Sequence, residues 1–145
     1  QSLMNDKIFI IRRDSKKGLG SAYVEGFLWS IKNNYQKIIQ MDADLSHDPK
    51  EIVPMLNLLK TNDLIIGSRY KGGLRVHNWP IQRLYISYFA NVYARAITGV
   101  PITDLTAGFR AWNKETLEKI NFHECSSQGY CFQIEMMLCL VIILL

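Results

Sequence analysis

Three short apolar runs rich in β-branched residues punctuate the chain, at Lys7–Ile11, Lys37–Met41 and Asp63–Gly67. Each has the length and polar flanks of a strand buried on both faces and is too short for an average helix. Between them the apolar positions fall at helical spacing. Ser21–Asn33 sets Tyr23, Phe27, Trp29 and Ile31 among polar residues, and Lys50–Lys60 does the same with Ile52, Val53, Leu56 and Leu59. The order β-α-β-α-β predicts three neighbouring parallel strands joined by crossover helices. In such sheets ligands bind outside the carboxyl ends of the strands, which directs attention to the polar segments there.

Beyond the third strand a loop, Arg69–Asn78, carries Gly72-Gly73. A long helix is then predicted from Trp79 to Thr98, broken by Gly99-Val-Pro101. Ile102–Trp112 and Gly129–Leu145 predict a further strand and a final helix. No repeat, low-complexity tract or dividing linker is present, so residues 1–145 are expected to form a single domain. The apolar run Met136–Leu145 falls well short of the ~20 residues a membrane-spanning helix needs. It reads as core that has lost its cover, and because it ends without a cap either the polypeptide is expected to continue or this end is abnormal. The first residues, QSLMNDKIFIIRRD, lack the pattern of a secretory signal.

Composition adds little: 48% hydrophobic and 21% charged residues exclude disorder, and a net charge of +4 favours an anionic partner without naming it. Cys125, Cys131 and Cys139 match no zinc spacing and are expected to be thiols.

The chemistry lies at the strand ends. Lys37–Met41 runs straight into Asp42-Ala43-Asp44, followed by Leu45-Ser46-His47-Asp48-Pro49. Two carboxylates at i and i+2 can hold one hard divalent cation, leaving its other positions to water and substrate phosphates. The competing reading is a solvated acidic turn in which Ser46 or Asp48 caps the next helix. Lys16-Lys17-Gly18-Leu19-Gly20-Ser21 opens a helix, where Lys17, Gly18 and the backbone N–H groups can approach a phosphate; the alternative is a plain turn. Gly67-Ser68-Arg69-Tyr70 places Arg69 at the same edge as the acidic pair. Arg83 and Ser87 lie four apart on one helix face, suited to a shared oxyanion or else an ordinary surface pair.

The succession KKGLGSAY, MDADLSHDP, GSRYKGG, the W-P-x-x-R-x-x-x-S pattern of Trp79–Ser87, DLTAGFRAW and GYCFQIEM resembles dolichol-phosphate mannose synthases and their bacterial polyprenol-phosphate relatives. These are inverting GT-A glycosyltransferases of family 2. The resemblance covers roughly residues 7–137 in order. It implies an α/β, GT-A-like Rossmann-type fold: a mostly parallel sheet with flanking helices, here incomplete at both ends. The family's opening strand and P-x-Y-N-E-like loop have no counterpart in Gln1–Asp6, and LCLVIILL departs from its continuation.

The resemblance also implies roles. Asp42 and Asp44, with Ser46 at the next candidate position, would bind Mg²⁺ or Mn²⁺ together with the donor diphosphate. Arg69, Arg83 and Ser87 would hold the acceptor phosphate, and Asp44, Arg69 and Arg83 would carry catalysis. Asp104 and Arg110 would either shape the site or serve the loop structurally. The implied reaction moves mannose from GDP-mannose to a polyprenyl or dolichyl phosphate at the cytoplasmic face of a membrane, with the protein peripheral there. Trp79, Tyr85, Tyr88, Phe89 and Tyr93 offer a face for the lipid surface or else simple core. Rival readings are a UDP-glucose-using transferase on the same lipid, an inactive fragment, and a non-catalytic phosphate-binding module. Nucleic acid is not expected as a partner, since the basic residues are dispersed and no nucleic-acid motif accompanies the aromatics.

Overall fold

The computed structural model describes residues 7–69, 81–100 and 102–144. Helix α1 spans Leu19–Lys32, strand β1 Lys37–Gln40, helix α2 Ile52–Leu58 and strand β2 Leu64–Ile66. Helix α3 follows at Ile81–Thr98, then strand β3 at Arg110–Asn113, helix α4 at Lys114–Lys119 and helix α5 at Tyr130–Leu144. Asp48 caps the short 3₁₀ turn Pro49–Glu51 that leads into α2, its Oδ1 accepting from the Lys50 N–H at 2.9 Å. Helix α1 ends where Asn34 takes a left-handed conformation, φ 61°, which asparagine tolerates better than most residues.

The fold is α/β with helices flanking a small sheet, but two expectations about that sheet need correction. Its order is β1-β3-β2, and β3 runs antiparallel to both neighbours. β1 and β2 therefore run in the same direction without touching, because β3 supplies the hydrogen-bonding edge each of them needs. Lys7–Ile11, expected as the first strand, joins no ladder among the described residues, and Ile8, Phe9, Ile10 and Ile11 are exposed. Its aromatic contact is Phe9 on Trp29 of α1, with ring centroids 5.0 Å apart. An apolar run becomes a strand only when a neighbour completes its backbone hydrogen bonds.

The alternation along the strands explains the two-sided core. Ile38, Trp112, Leu64 and Ile66 face a cluster with Phe27 of α1, Leu117 of α4 and Phe132, Met136 and Met137 of α5. Ile39, Ala111 and Ile65 face the other way, onto Met55 and Leu59 at α2 and Phe109. The near-continuous apolar character of the strands thus reflects burial on both faces. α5, the expected final helix, buries Phe132, Met136, Met137 and Leu140 in the first cluster.

Register sets the position of the functional edge. Gln40 of β1 and Ile66 of β2 both pair with Arg110, so the carboxyl ends of β1 and β2 meet the amino end of β3. The segments after Gln40 and Ile66 and the segment before Arg110 must therefore converge.

Trp112, fully buried in the central strand, offers the clearest test of this packing. Trp112→Ala is expected to lower the unfolding free energy by about 3–5 kcal/mol. Urea unfolding should show a lower midpoint with an unchanged slope.

Candidate active site

A small open cleft of about 60 Å³ lies at that edge, with room for a few waters or a hydrated ion. Asp42, Asp44, Ser46 and His47 line it from the loop after β1, Arg69 from the segment after β2, and Thr106 and Gly108 from the segment before β3. Leu19 and Tyr23 of α1 and Tyr130 and Gln133 of α5 complete the wall. The structure thus brings together the acidic pair and Arg69, which the sequence placed at one edge.

The two carboxylates are held differently. Asp44 is exposed, and its Oδ1 accepts from the Ser46 N–H at 3.0 Å and the Ser46 hydroxyl at 2.6 Å, which lowers its pKa. Asp42 is half-buried, and its Oδ1 accepts from the Tyr23 hydroxyl at 2.5 Å. Burial, and then this bond to a carboxylate, push the Tyr23 pKa far up, so Tyr23 is a neutral donor. The Asp42 N–H donates to His47 Nδ1 at 3.1 Å. The His47 ring stacks on Phe109 at 4.9 Å, and burial lowers its pKa, against the pull of Asp42 and Asp44. His47 is therefore a neutral imidazole accepting at Nδ1.

Each carboxylate keeps its Oδ2 without a hydrogen bond among the described residues. Two hard oxygens two residues apart on one loop could take one or two places in the shell of Mg²⁺ or Mn²⁺. Among the described residues no group of three or more His, Cys, Asp or Glu could hold a metal.

Arg69 is anchored from behind. Its backbone N–H and Nε each donate to Asp104 Oδ2 at 2.9 Å, and Nη2 donates to Asp104 Oδ1 and to Thr106 Oγ1, both at 2.5 Å. Asp104 is 1% exposed and the Arg69 side chain 12%, so this is a buried, bidentate ion pair. Asn91 of α3, also buried, donates to the Ser87 carbonyl, Asp104 Oδ1 and Thr106 Oγ1, and accepts from the Thr106 N–H. One polar network thereby ties α3, the Arg69 segment and the loop before β3 together.

The other expected residues are placed less directly. Lys17 is exposed, and Gly18, at φ +95°, precedes α1, but Leu19 is the cleft-lining residue of that segment. The Gly20 N–H donates to Gln128 Oε1 at 3.0 Å, so one amide expected to face a phosphate already has a partner. Ser87 lies on α3, half-buried, while Tyr70–Pro80, including Gly72, Gly73 and Trp79, and the Arg83 side chain lie outside the described residues. Tyr23, His47, Tyr130 and Gln133 were not expected in the site. For Tyr23 the helical spacing indicated only core, and His47 and Gln133 sat inside recognised motifs without assigned roles.

Comparison with known proteins adds to this geometry. Residues 1–121 match the model of the family described as Glycosyl transferase family 2. Polyprenol monophosphomannose synthase of Mycolicibacterium smegmatis is 47% identical over 132 residues, which are 90% of this chain and 50% of that protein. Undecaprenyl-phosphate mannosyltransferase of Micrococcus luteus is 40% identical over 129 residues, 89% of this chain and 53% of that protein. The chain spans about half the length of these curated relatives.

Asp104→Asn separates the anchored arginine from the exposed carboxylate. It leaves the Arg69 guanidinium without its counter-charge and is expected to cost about 3–5 kcal/mol of stability. Asp44→Asn, at an exposed position, is expected to leave stability within about 0.5 kcal/mol of the parent. Chemical denaturation of the two variants side by side checks this contrast.

Proposed function

The chain belongs to glycosyl transferase family 2, and on that premise we propose that its protein transfers mannose from GDP-mannose onto a polyprenyl or dolichyl phosphate, inverting the anomeric carbon. The observation that carries the reading is the convergence of Asp42, Asp44 and Arg69 on one cleft. A nucleotide-sugar and a lipid phosphate are both anions, and their meeting requires positive charge from two directions. Asp42 and Asp44, with Ser46 beside them, would hold Mg²⁺ or Mn²⁺. When bound, that ion stabilises the negative charge gained by the departing nucleoside diphosphate. Lys17 and Gly18, at the loop into α1, belong on this reading to the donor phosphates.

Arg69 acts on the acceptor. Its guanidinium is fixed by Asp104, so it can orient a phosphate without first losing side-chain freedom. Arg83 and Ser87 join it on the same reading. The acceptor phosphate is an anion at neutral pH and attacks without a dedicated general base. Tyr85, Tyr88, Phe89 and Tyr93 of α3 are exposed, which supports peripheral contact with a membrane surface, by our proposal the cytoplasmic face. Among the described residues no helix is long and apolar enough to cross a membrane.

The direct test incubates the full-length natural protein with polyprenyl phosphate and radiolabelled GDP-mannose or UDP-glucose. Mannose label is expected in the lipid phase with Mn²⁺ or Mg²⁺ present and is expected to vanish with chelator. Glucose label alone would reassign the donor, and no label from either would defeat the reading.

Acceptor and donor roles separate in a second measurement. Arg83→Ala removes a charge-assisted contact worth roughly 1.5–3 kcal/mol. The expected loss is about tenfold to a hundredfold in transfer efficiency when polyprenyl phosphate is varied, with donor affinity nearly unchanged. A loss seen instead in donor binding would move Arg83 to the nucleotide site.

A further inference from the structure

The Asp42 carboxylate sits in a slot built from separate parts of the chain. Tyr23 of α1 holds Oδ1 by a hydrogen bond of 2.5 Å. On the other side, a Cβ placed on Gly108 would come within 2.9 Å of Oδ2. The Asp42 backbone is fixed as well, through its N–H to His47, whose ring is stacked on Phe109, the neighbour of Gly108. Tyr23 has little freedom of its own, because its ring stacks with Phe27 at 6.2 Å and with Phe132 at 6.1 Å.

These restraints do different things. The hydroxyl engages one carboxylate oxygen and so selects one rotation of the group. The missing side chain at 108 leaves space for the other oxygen. We infer that Tyr23 and Gly108 are positioning residues that act through Asp42, the tyrosine holding Oδ1 and the glycine admitting Oδ2, so that Oδ2 is left to bind a divalent cation. The inference rests on reading the acidic pair as a cation site. A merely structural tyrosine would use Asp42 to satisfy its buried hydroxyl, and removing the hydroxyl would then leave cation binding untouched.

The test titrates the full-length protein with Mn²⁺ alone, following loss of the free-ion paramagnetic resonance signal, alongside thermal unfolding. Tyr23→Phe keeps the stacked ring and removes only the hydroxyl, while Gly108→Ala sets a methyl group against Oδ2. Each is expected to weaken Mn²⁺ binding about three- to tenfold. Tyr23→Phe should melt close to the parent. Parent-like Mn²⁺ affinity in both variants overturns the inference while leaving the cation site intact. If Tyr23→Phe does not fold, Gly108→Ala decides alone. A parent protein that binds no Mn²⁺ overturns the cation reading and this inference together. Weakened binding in the variants of a protein that transfers no sugar supports the inference and defeats only the transfer reading.

Discussion

The Arg110 guanidinium, fully buried at the first residue of the central strand, donates from Nε to the Ala107 carbonyl, from Nη2 to the Leu105 carbonyl and from Nη1 to the Gln133 carbonyl. The chain before β3 has left the sheet, and its buried carbonyls need donors that no ladder provides. One side chain supplies them and ties the curl to α5. That curl sets Gly108 against Asp42 and brings Asp104 and Thr106 to Arg69. Burial lowers the Arg110 pKa to about 9, with Asp104 opposing the shift, so the group remains a cation at neutral pH.

The site built on this support places its charges by different means. Arg69 is locked to Asp104 within a buried network that reaches Asn91 of α3, whereas Asp44 stands exposed and, among the described residues, is oriented by Ser46. If Arg69 receives the acceptor phosphate, as proposed, it gains from being fixed in advance, since less freedom is lost on binding. If Asp44 holds a metal, as proposed, it gains from access to water and substrate phosphate. Asp42 lies between these extremes, half-buried and held on one side by Tyr23.

Much of this was legible in the sequence, though unevenly. The acidic pair and Arg69 could be assigned to one edge because buried strands ran directly into polar loops, and that inference holds even though the sheet is wired differently. β1 and β2 do share a direction, but the reason is β3, whose four residues begin with an arginine and carry no run of apolar positions. Ile102–Trp112 was expected to be extended throughout, while only its end is a strand; the rest is held by side chains, which no periodicity reports. Lys7–Ile11 shows the opposite failure, an apolar run without a ladder. Tyr23 illustrates a third kind of gap. Its spacing on α1 marked it as core, and its ring is packed against Phe27 and Phe132, but its hydroxyl reaches a residue nineteen positions away that only the assembled sheet edge brings near.

The balance of charge at this edge argues for the cation more strongly than the acidic pair does alone. Among the described residues, three carboxylates, Asp42, Asp44 and Asp104, stand in the cleft and directly behind it against two guanidiniums, Arg69 and Arg110, while His47 is neutral. The excess is one negative charge. Arg110 is spent on backbone carbonyls, which leaves Arg69, anchored by Asp104, as the guanidinium that lines the cleft. On the proposed reading, a diphosphate approaching Asp42 and Asp44 without a metal would meet like charge at close range. A divalent ion held by the two carboxylates would, on the same proposed reading, reverse the sign of that corner and let the donor phosphates approach. On that reading the two corners differ: the acidic one would become positive only when loaded, whereas the Arg69 guanidinium is already in place, held by Asp104.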